Sequence, residues 1–214
     1  MKTILTFLFI WCLNYQTGIS GFFKSNEDLL RQNSKYISDI NNTIGVLRLV
    51  PRKDNRVSVV IYNQNGTIWK RIANENSYRR NIRNIYPLYM NLENSLLYFK
   101  VIKKIDAYYV IIDNENTQEK KYIRVDDPAF KLMTWQAYIL GCVAVQFDPV
   151  KNSIKTIPQY TSVAIPFDKN ELYLPVKIQG DWLMVKWGDI SKWKYGWIQW
   201  RKNGHLLLQI FHDA

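Results

Sequence analysis

The chain of 214 residues is 47% hydrophobic and 14% aromatic, which is enough for one large or two small globular domains. Its 29 Lys and Arg outnumber 18 Asp and Glu, and the formal net charge of +11 favours an anionic or carbohydrate partner: a cell-wall polymer, a lipid headgroup phosphate, an acidic glycan or an acidic protein. With two Cys, one of them in an N-terminal segment expected to be removed, an intramolecular disulfide is excluded.

Residues 1–20 have the features of a secretion signal. The apolar run from Ile4 to Leu13 is too short for a bilayer span, which needs about twenty residues. Gly18 and Ser20 place small residues where a cleavage site after Ser20 requires them. We therefore expect export to the periplasm, the cell envelope or the medium, with a lipoprotein signal ending at Cys12 as the alternative. No other stretch is long and apolar enough to span a membrane.

One helix is predicted within an N-terminal segment at 21–43. Ser25 and Asp28 resemble a capping box at its start, and Asn41-Asn42 would stop it. The predicted helix over 25–40 is expected to pack one face against a sheet. That face is an apolar stripe at helical spacing: Leu29, Leu30, Tyr36, Ile37 and Ile40.

From Thr43 onward the pattern is typical of β-structure. A four-residue loop that ends at Gly66 separates two alternating runs, which predicts a hairpin. The polar and basic residues 73–84 are expected to form a loop or a short solvated helix. Strands are predicted from apolar runs at 44–50, 57–62, 67–72, 96–105, 108–113 and 121–125.

The middle of the chain gives two further predictions. Asp127-Pro128 would open a short helical turn through Met133, with Asp as the N-cap and Pro at the first helical position. Residues 135–147 are apolar at both alternating sets of positions, which predicts a strand covered on both faces. Cys142 lies in this run and is interpreted as a small buried hydrophobe.

The block 171–211 contains five of the eight Trp. Apolar residues alternate with polar ones on either side of Gly180-Asp181, which predicts a hairpin. A third strand starts at Gly196. Asn203-Gly204 is a strong turn signal before a fourth strand, because both positions of a type I′ turn need positive φ. A short antiparallel barrel of four or five strands fits this pattern, with Trp182, Trp197 and Trp200 in its core.

This block resembles a bacterial SH3-type domain. It contains a hydrophobic strand, then GDWLMVKW, a polar loop and YGWIQW. The family shows W-x-x-V near the middle and G-W-[IV] near the end, which Trp182 with Val185 and Gly196-Trp197-Ile198 match. The family's opening V-R-x-G-P-S motif is absent here, and the resemblance covers about a fifth of the chain. It implies a small barrel that binds cell-wall peptides or glycans, or that packs beside a catalytic domain.

An internal duplication is predicted as well. Tyr108 aligns with Trp182 at a spacing near 74, and the hairpin 57–70 aligns with 143–156. The expected fold class is mainly β, with two tandem units of a β-hairpin plus an SH3-like small barrel and one N-terminal helix. The segment 135–147 is placed in the contact between the units. In chain order the organisation is a signal peptide at 1–20, a helical segment at 21–43, a first SH3-like unit at 44–126 and a second, Trp-rich SH3-like unit at 127–214.

No catalytic or metal-binding motif is found. The sequence has no Gly-rich phosphate loop, C-x-x-C, H-E-x-x-H or G-x-S-x-G. His205 and His212 are accompanied by no Cys, and Asp126-Asp127 would point to opposite faces of a strand. We therefore expect a protein that is not an enzyme and has no cofactor and no metal.

The predicted ligand site is the polar, basic loop 188–195. Periodicity does not force burial of Trp193 or Tyr195, Trp187 precedes the loop, and Lys192 and Lys194 supply cations. Trp and Tyr stack on sugar C–H faces and peptide prolines, while Lys pairs with carboxylates or phosphates. The other candidate anion contacts, each with a solvated surface charge as the alternative, are Arg79, Arg80, Arg83, Lys103, Lys104, Arg201 and Lys202.

The expected function is that of an exported, non-catalytic binding protein for a cell-wall glycan or peptide or another anionic envelope ligand. The alternative is a structural or accessory protein that docks onto another envelope protein, in which case a flat apolar patch would replace a groove with exposed aromatic rings. Nucleic acid fits the charge but not export, so it is not an expected partner. An enzyme with an unfamiliar site would need a pocket containing Asp or Glu with perturbed ionisation.

Overall fold

The computed structural model describes residues 39–50, 58–73, 85–91 and 94–213. Within these ranges the chain is mainly β, as predicted, with fifteen strands and one short helix. No helix in the described ranges has the length and apolar character that a membrane crossing requires. The predicted signal peptide and almost all of the predicted 25–40 helix lie outside the described residues; of that helix, Asp39 forms a β-bridge to His205 instead.

Strands β1 to β8 form one antiparallel sheet. Its order is β3-β2-β7-β6-β5-β1-β8, and β4 pairs with β5 beside this path. The predicted hairpin with the Gly66 loop is β2–β3, and Gly66 has φ 79°, a left-handed conformation that favours glycine. The bounds are β1 Gly45–Leu49, β2 Ser58–Tyr62, β3 Ile68–Ala73, β4 Tyr89–Asn91, β5 Leu96–Ile105, β6 Tyr108–Asn114, β7 Glu119–Arg124 and β8 Phe130–Met133.

The predicted helical turn through Met133 is wrong. Phe130–Met133 form strand β8 instead. The Asp127 carboxylate accepts a hydrogen bond from the Ala129 amide at 2.9 Å, and the Asp127 carbonyl accepts one from the Phe130 amide at 3.1 Å. These bonds close a tight turn around Pro128. The chain then pairs with the edge of β1, where Val46 lies opposite Met133, because that edge offers backbone partners that a helical turn would leave unused.

The predicted two-faced strand over 135–147 is also wrong. Trp135–Leu140 form helix α1, and only Ala144–Gln146 are extended, as β9. The hydroxyl of Thr134 accepts a hydrogen bond from the Ala137 amide at 3.1 Å and caps the helix. The buried residues Trp135, Tyr138 and Ile139 lie at helical spacing, so this short apolar run fitted either period and the cap decided between them.

The C-terminal part is built around a three-stranded antiparallel sheet in the order β10-β11-β12. Gly180 has φ 58° in the first turn, and Asn203 and Gly204 have φ 49° and 73° in the last, as their turn signals predict. Single bridges from Val145 to Tyr173 and from Lys155 to Trp197 extend the sheet at its two edges. The bounds are β10 Leu174–Gln179, β11 Trp182–Trp187, β12 Lys194–Gln199, β13 Arg201–Lys202, β14 His205–Leu206 and β15 Gln209–Phe211; β13 pairs with β14, and β15 pairs with β9.

The buried apolar side chains fall into two clusters. One lies within the eight-stranded sheet and contains residues such as Leu47, Phe99 and Ile111. The other joins Val46 and Tyr98 of that sheet to helix α1 and to the inward side chains of β11 and β12. Trp182, Trp197 and Trp200 are buried, as predicted.

Candidate functional site

The sheet β10–β12 presents two different faces. Side chains alternate along each strand, and the register places Met184 opposite Trp197 and Lys186 opposite Tyr195. The inner face carries Leu183, Val185, Trp187 and Ile198, which are buried in the shared core. The outer face carries Trp182, Met184, Lys186, Trp193, Tyr195 and Trp197, together with Lys177 opposite Met184.

Two lysines of the outer face lie over Trp rings. The Nζ of Lys186 is 4.5 Å from the centre of the Trp193 ring, and the Nζ of Lys177 is 5.4 Å from that of Trp197. Both distances fall within the roughly 6 Å at which an ammonium group is attracted to an aromatic face. The outer face therefore alternates aromatic rings with positive charges.

The loop 156–163 adds another ring, Tyr160. This ring meets that of Trp182 edge-on, with centroids 5.4 Å apart, and its hydroxyl accepts a hydrogen bond from Gln199 Nε2 at 2.5 Å. Tyr160 is 60% exposed and Tyr195 is half exposed, so two rings of the set are open to solvent. We refer to Tyr160, Lys177, Trp182, Lys186, Trp193, Tyr195 and Trp197 as the aromatic–lysine face.

Two carboxylates near this face are engaged elsewhere. Asp181 Oδ1 pairs with Arg201 Nε at 2.6 Å, and Glu171 Oε2 accepts a hydrogen bond from the Gly188 amide at 3.1 Å. Asp181 is thus paired with a cation, whereas Glu171 is held by a backbone amide and keeps its charge. The positive charges that lie over the rings of the face are those of Lys177 and Lys186.

The structure divides the five predicted ligand residues between the two sides of the sheet. Trp193 and Tyr195 belong to the aromatic–lysine face, and Lys192 is exposed in the turn before β12. Trp187 is only 2% exposed and packs on Tyr173, with ring centroids 5.3 Å apart, so the prediction that it joins an exposed ring cluster is wrong. Lys194 lies on the same side as Trp187, because side chains alternate along β12.

Trp187 and Lys194 instead line an open cleft of about 520 Å³ with the segment 165–170. Phe167 forms one wall and stacks on Tyr173, with ring centroids 5.4 Å apart. The hydrogen bond from Gly188 to Glu171 ties this segment to the start of the 188–193 turn. The cleft volume suits a small ligand, but its aromatic floor is almost fully covered, so it offers less ring surface than the aromatic–lysine face.

Sequence reasoning missed Asp113, a fully buried carboxylate on β6. Burial and the neighbouring Glu119 raise the pKa of Asp113 to about 6, against the opposing effect of Lys121. Within the described residues, neither carboxylate oxygen has a hydrogen-bond partner. The signal in the sequence is that Asp113 continues the inward series of Tyr109 and Ile111, where an apolar residue is expected.

His212 is a second titratable group that the sequence did not reveal, and it is half-buried among aromatic rings. Its ring stacks on Tyr98, with centroids 4.4 Å apart, and lies 4.5 Å from the Tyr138 ring. Burial lowers the pKa of His212 to about 4, although a hydrogen bond with the Gly141 backbone acts in the opposite direction. His212 is therefore neutral at pH 7.

Cys142 is half-buried and packs against the shared apolar cluster, whereas the sequence predicted a buried small hydrophobe. Its thiol donates a hydrogen bond to the Ala144 carbonyl at 3.3 Å. Burial raises the pKa of Cys142 to about 12, which disfavours the thiolate that a nucleophile requires. Among the described residues, no group of three or more His, Cys, Asp or Glu side chains is placed to hold a metal ion.

Arg79, Arg80 and Arg83, three of the candidate anion contacts, lie outside the described residues. Lys103 and Lys104 are exposed on β5 of the other sheet, and Lys202 lies beside Tyr160, with its Nζ 5.8 Å from the ring centre. Comparison with protein-family models, curated proteins and solved structures finds no match to this chain.

Proposed function

We propose that this chain is an exported, non-catalytic binding protein that recognises a cell-wall glycan or peptide, or another anionic ligand of the envelope, on the aromatic–lysine face. The observation that carries the proposal is the pairing of Lys186 with Trp193 and of Lys177 with Trp197 beside the exposed rings of Tyr160 and Tyr195. Export is inferred from the signal-like residues 1–20.

The chemistry of the face suits a polymer that has both apolar faces and negative charges. The rings of Tyr160 and Tyr195 offer flat surfaces on which sugar C–H groups or peptide prolines stack. Lys177 and Lys186 are already held beside Trp rings, which lowers the entropy that their side chains lose when they pair with a carboxylate or phosphate. A neutral polymer would use the rings alone and would bind more weakly.

For the fold, we propose that the C-terminal part is an SH3-like small barrel and that the chain is a tandem of two such units. The meander β10–β12, its short turns, and the bridges at Tyr173 and Lys155 on its edges support a small curved barrel. The positions that carry the resemblance have structural roles in this barrel, because Trp182 and Trp197 are buried and Gly196 lies under Ile154.

The test is a titration of intrinsic Trp fluorescence with peptidoglycan fragments and with acidic polysaccharides. The variants Trp193→Ala and Tyr195→Ser remove rings of the aromatic–lysine face. Tyr86→Ser is the matched control, because Tyr86 is 52% exposed but belongs to the other part of the fold. We expect a saturable spectral change that both face variants weaken and the control retains.

Absence of any change with every polymer, from a protein shown to be folded, would contradict the proposal and favour a protein that docks onto another envelope protein. An equal loss in the Tyr86→Ser control would contradict the location of the site.

A further inference from the structure

The loop 155–164 carries three exposed apolar side chains. Lys155 and Ala164 bridge its two ends, and Ile157, Tyr160 and Val163 are 52%, 60% and 72% exposed. Single exposed apolar residues are ordinary on protein surfaces, whereas a group of them on one short loop is a candidate contact surface.

Internal hydrogen bonds hold the loop in this shape. The Thr156 amide donates to the Val163 carbonyl at 3.1 Å, and the Ile157 amide donates to Ser162 Oγ at 3.2 Å. Lys155 Nζ donates to the Ser162 carbonyl at 3.2 Å. Because these contacts fix the loop, Ile157 and Val163 point outward in the folded protein without any rearrangement, and a contact with them costs little ordering entropy.

The charges along this part of the chain have one sign. Between Asp148 and Asp168 the sequence contains Lys151 and Lys155 and no acidic residue. Asp168 accepts a hydrogen bond from the Asn170 amide at 2.9 Å, whereas Asp148 accepts one from the Val150 amide at 2.9 Å and pairs with Lys151 Nζ at 3.6 Å. The cations beside the apolar tip are therefore Lys155, within the loop, and Lys202, next to the Tyr160 ring.

We propose that the loop 155–164 docks on an anionic lipid surface, with Ile157 and Val163 entering the headgroup region and Lys155 and Lys202 facing the lipid phosphates. Interfacial elements bind in this way, by burying apolar side chains while cations are attracted to anionic headgroups. The formal net charge of +11 adds a long-range attraction to such a surface.

Size favours lipid over a protein partner for this loop. A specific protein interface buries at least about 1,000 Å², which three side chains on one loop do not provide. A lipid surface needs only a few inserted side chains together with charge attraction. The inference goes beyond the ligand-binding face, since Ile157 and Val163 are not part of that face.

The test is cosedimentation of the chain with vesicles of phosphatidylcholine, alone or mixed with phosphatidylglycerol. We expect partition into the mixed vesicles that weakens as salt is added, because salt screens the lysine–phosphate attraction. Ile157→Asp and Val163→Asp each lower the partition coefficient roughly tenfold. The apolar run Ile4 to Leu13 is common to all variants, so their differences report on the loop.

Ile68→Asp is the matched control, because Ile68 is 45% exposed on β3 and the substitution makes the same change of charge. Equal loss of partition in the Ile68→Asp control would overturn the proposal. Absence of partition into either vesicle would also overturn it and would assign the loop to a protein partner.

Discussion

The ammonium group of Lys186 lies 4.5 Å from the centre of the Trp193 ring, on the outer face of the sheet β10–β12. Because each group holds the other, the ring and the charge act as one recognition element. A ligand that stacks on Trp193 also meets the field of Lys186, so the affinity effects of the two residues are expected not to add independently.

Replacing Lys177 and Lys186 by Gln is expected to lower the affinity for an acidic polysaccharide roughly tenfold at low salt, since two attractive charges and two cation–ring contacts are lost. The affinity of the double variant should also depend less on salt. Isothermal titration calorimetry at two salt concentrations measures both effects.

The matched control for this variant is Lys103→Gln with Lys104→Gln, which changes the net charge by the same amount on exposed positions of β5. If that control loses as much affinity, the net charge of the protein governs binding and the aromatic–lysine face does not.

Replacing Gly196 by Ala is expected to lower the free energy of unfolding by roughly 1–3 kcal/mol. A Cβ at this position would overlap Cγ2 of Ile154 and approach side-chain atoms of Ile165 and Trp187 to 3.2 Å. Urea unfolding measures the loss.

A double-mutant cycle with Ile154→Ala identifies the cause of that loss. If overlap with Ile154 is responsible, the Gly196→Ala substitution costs less in the Ile154→Ala background than in the natural chain. A cost that is the same in both backgrounds would contradict this explanation.

Ionisation of Asp113 is expected to make stability fall as the pH rises from about 4 to 6. Its pKa in the folded protein, about 6, is above the ordinary value of 3.8, so the folded state binds the proton more tightly than the unfolded state. The free energy of unfolding of Asp113→Asn, measured relative to that of the natural chain, should therefore increase by roughly 2 kcal/mol between pH 4 and 7. Urea unfolding across this range measures the difference, with Asp106→Asn, at an exposed turn position, as the control.

Protonation of His212 is expected to act in the opposite direction. Its pKa in the folded protein, about 4, is below the ordinary 6.5, so the unfolded state binds the proton more tightly than the folded state. The free energy of unfolding is therefore expected to decrease as the pH falls through this range. The variant His212→Phe keeps a ring against Tyr98 but removes the titration. Its free energy of unfolding relative to the natural chain should rise as the pH is lowered from 7 to 4, as measured by urea unfolding with His205→Asn as the exposed-site control.

The turns of the C-terminal sheet were predictable because their chemistry is local. Gly180, Asn203 and Gly204 have the positive φ values that their residue types allow, and the alternation on either side follows from a half-buried strand. Helix α1 was missed because a short apolar run such as AYIL fits both a two-residue and a helical period. The deciding contact, from Thr134 Oγ1 to the Ala137 amide, is recognisable as a cap only when the helix is known.

The candidate site was predictable only in part, again because local patterns are visible in the sequence and contacts between strands are not. Trp193 and Tyr195 were found from their place beside a polar loop, whereas Lys177 and Lys186 were not singled out, because their positions over Trp rings depend on register across three strands. Trp187 was misplaced since it begins the same loop, yet alternation along β11 turns it into the core. The burial and the raised pKa of Asp113 depend on contacts between distant strands, which the sequence alone does not show.

The apolar cluster that joins Val46 and Tyr98 to Leu183 and Ile198 affects how the chain folds. Strand β8 lies after residue 127 but pairs with β1, which lies before it, so each half of the chain helps to stabilise the other. A cut at residue 127 would remove β8 from one side of β1, leaving β5 on the other side, and would open the shared apolar cluster to water. Residues 39–213 are therefore expected to melt in a single cooperative step, and neither half to persist as a separate folding unit.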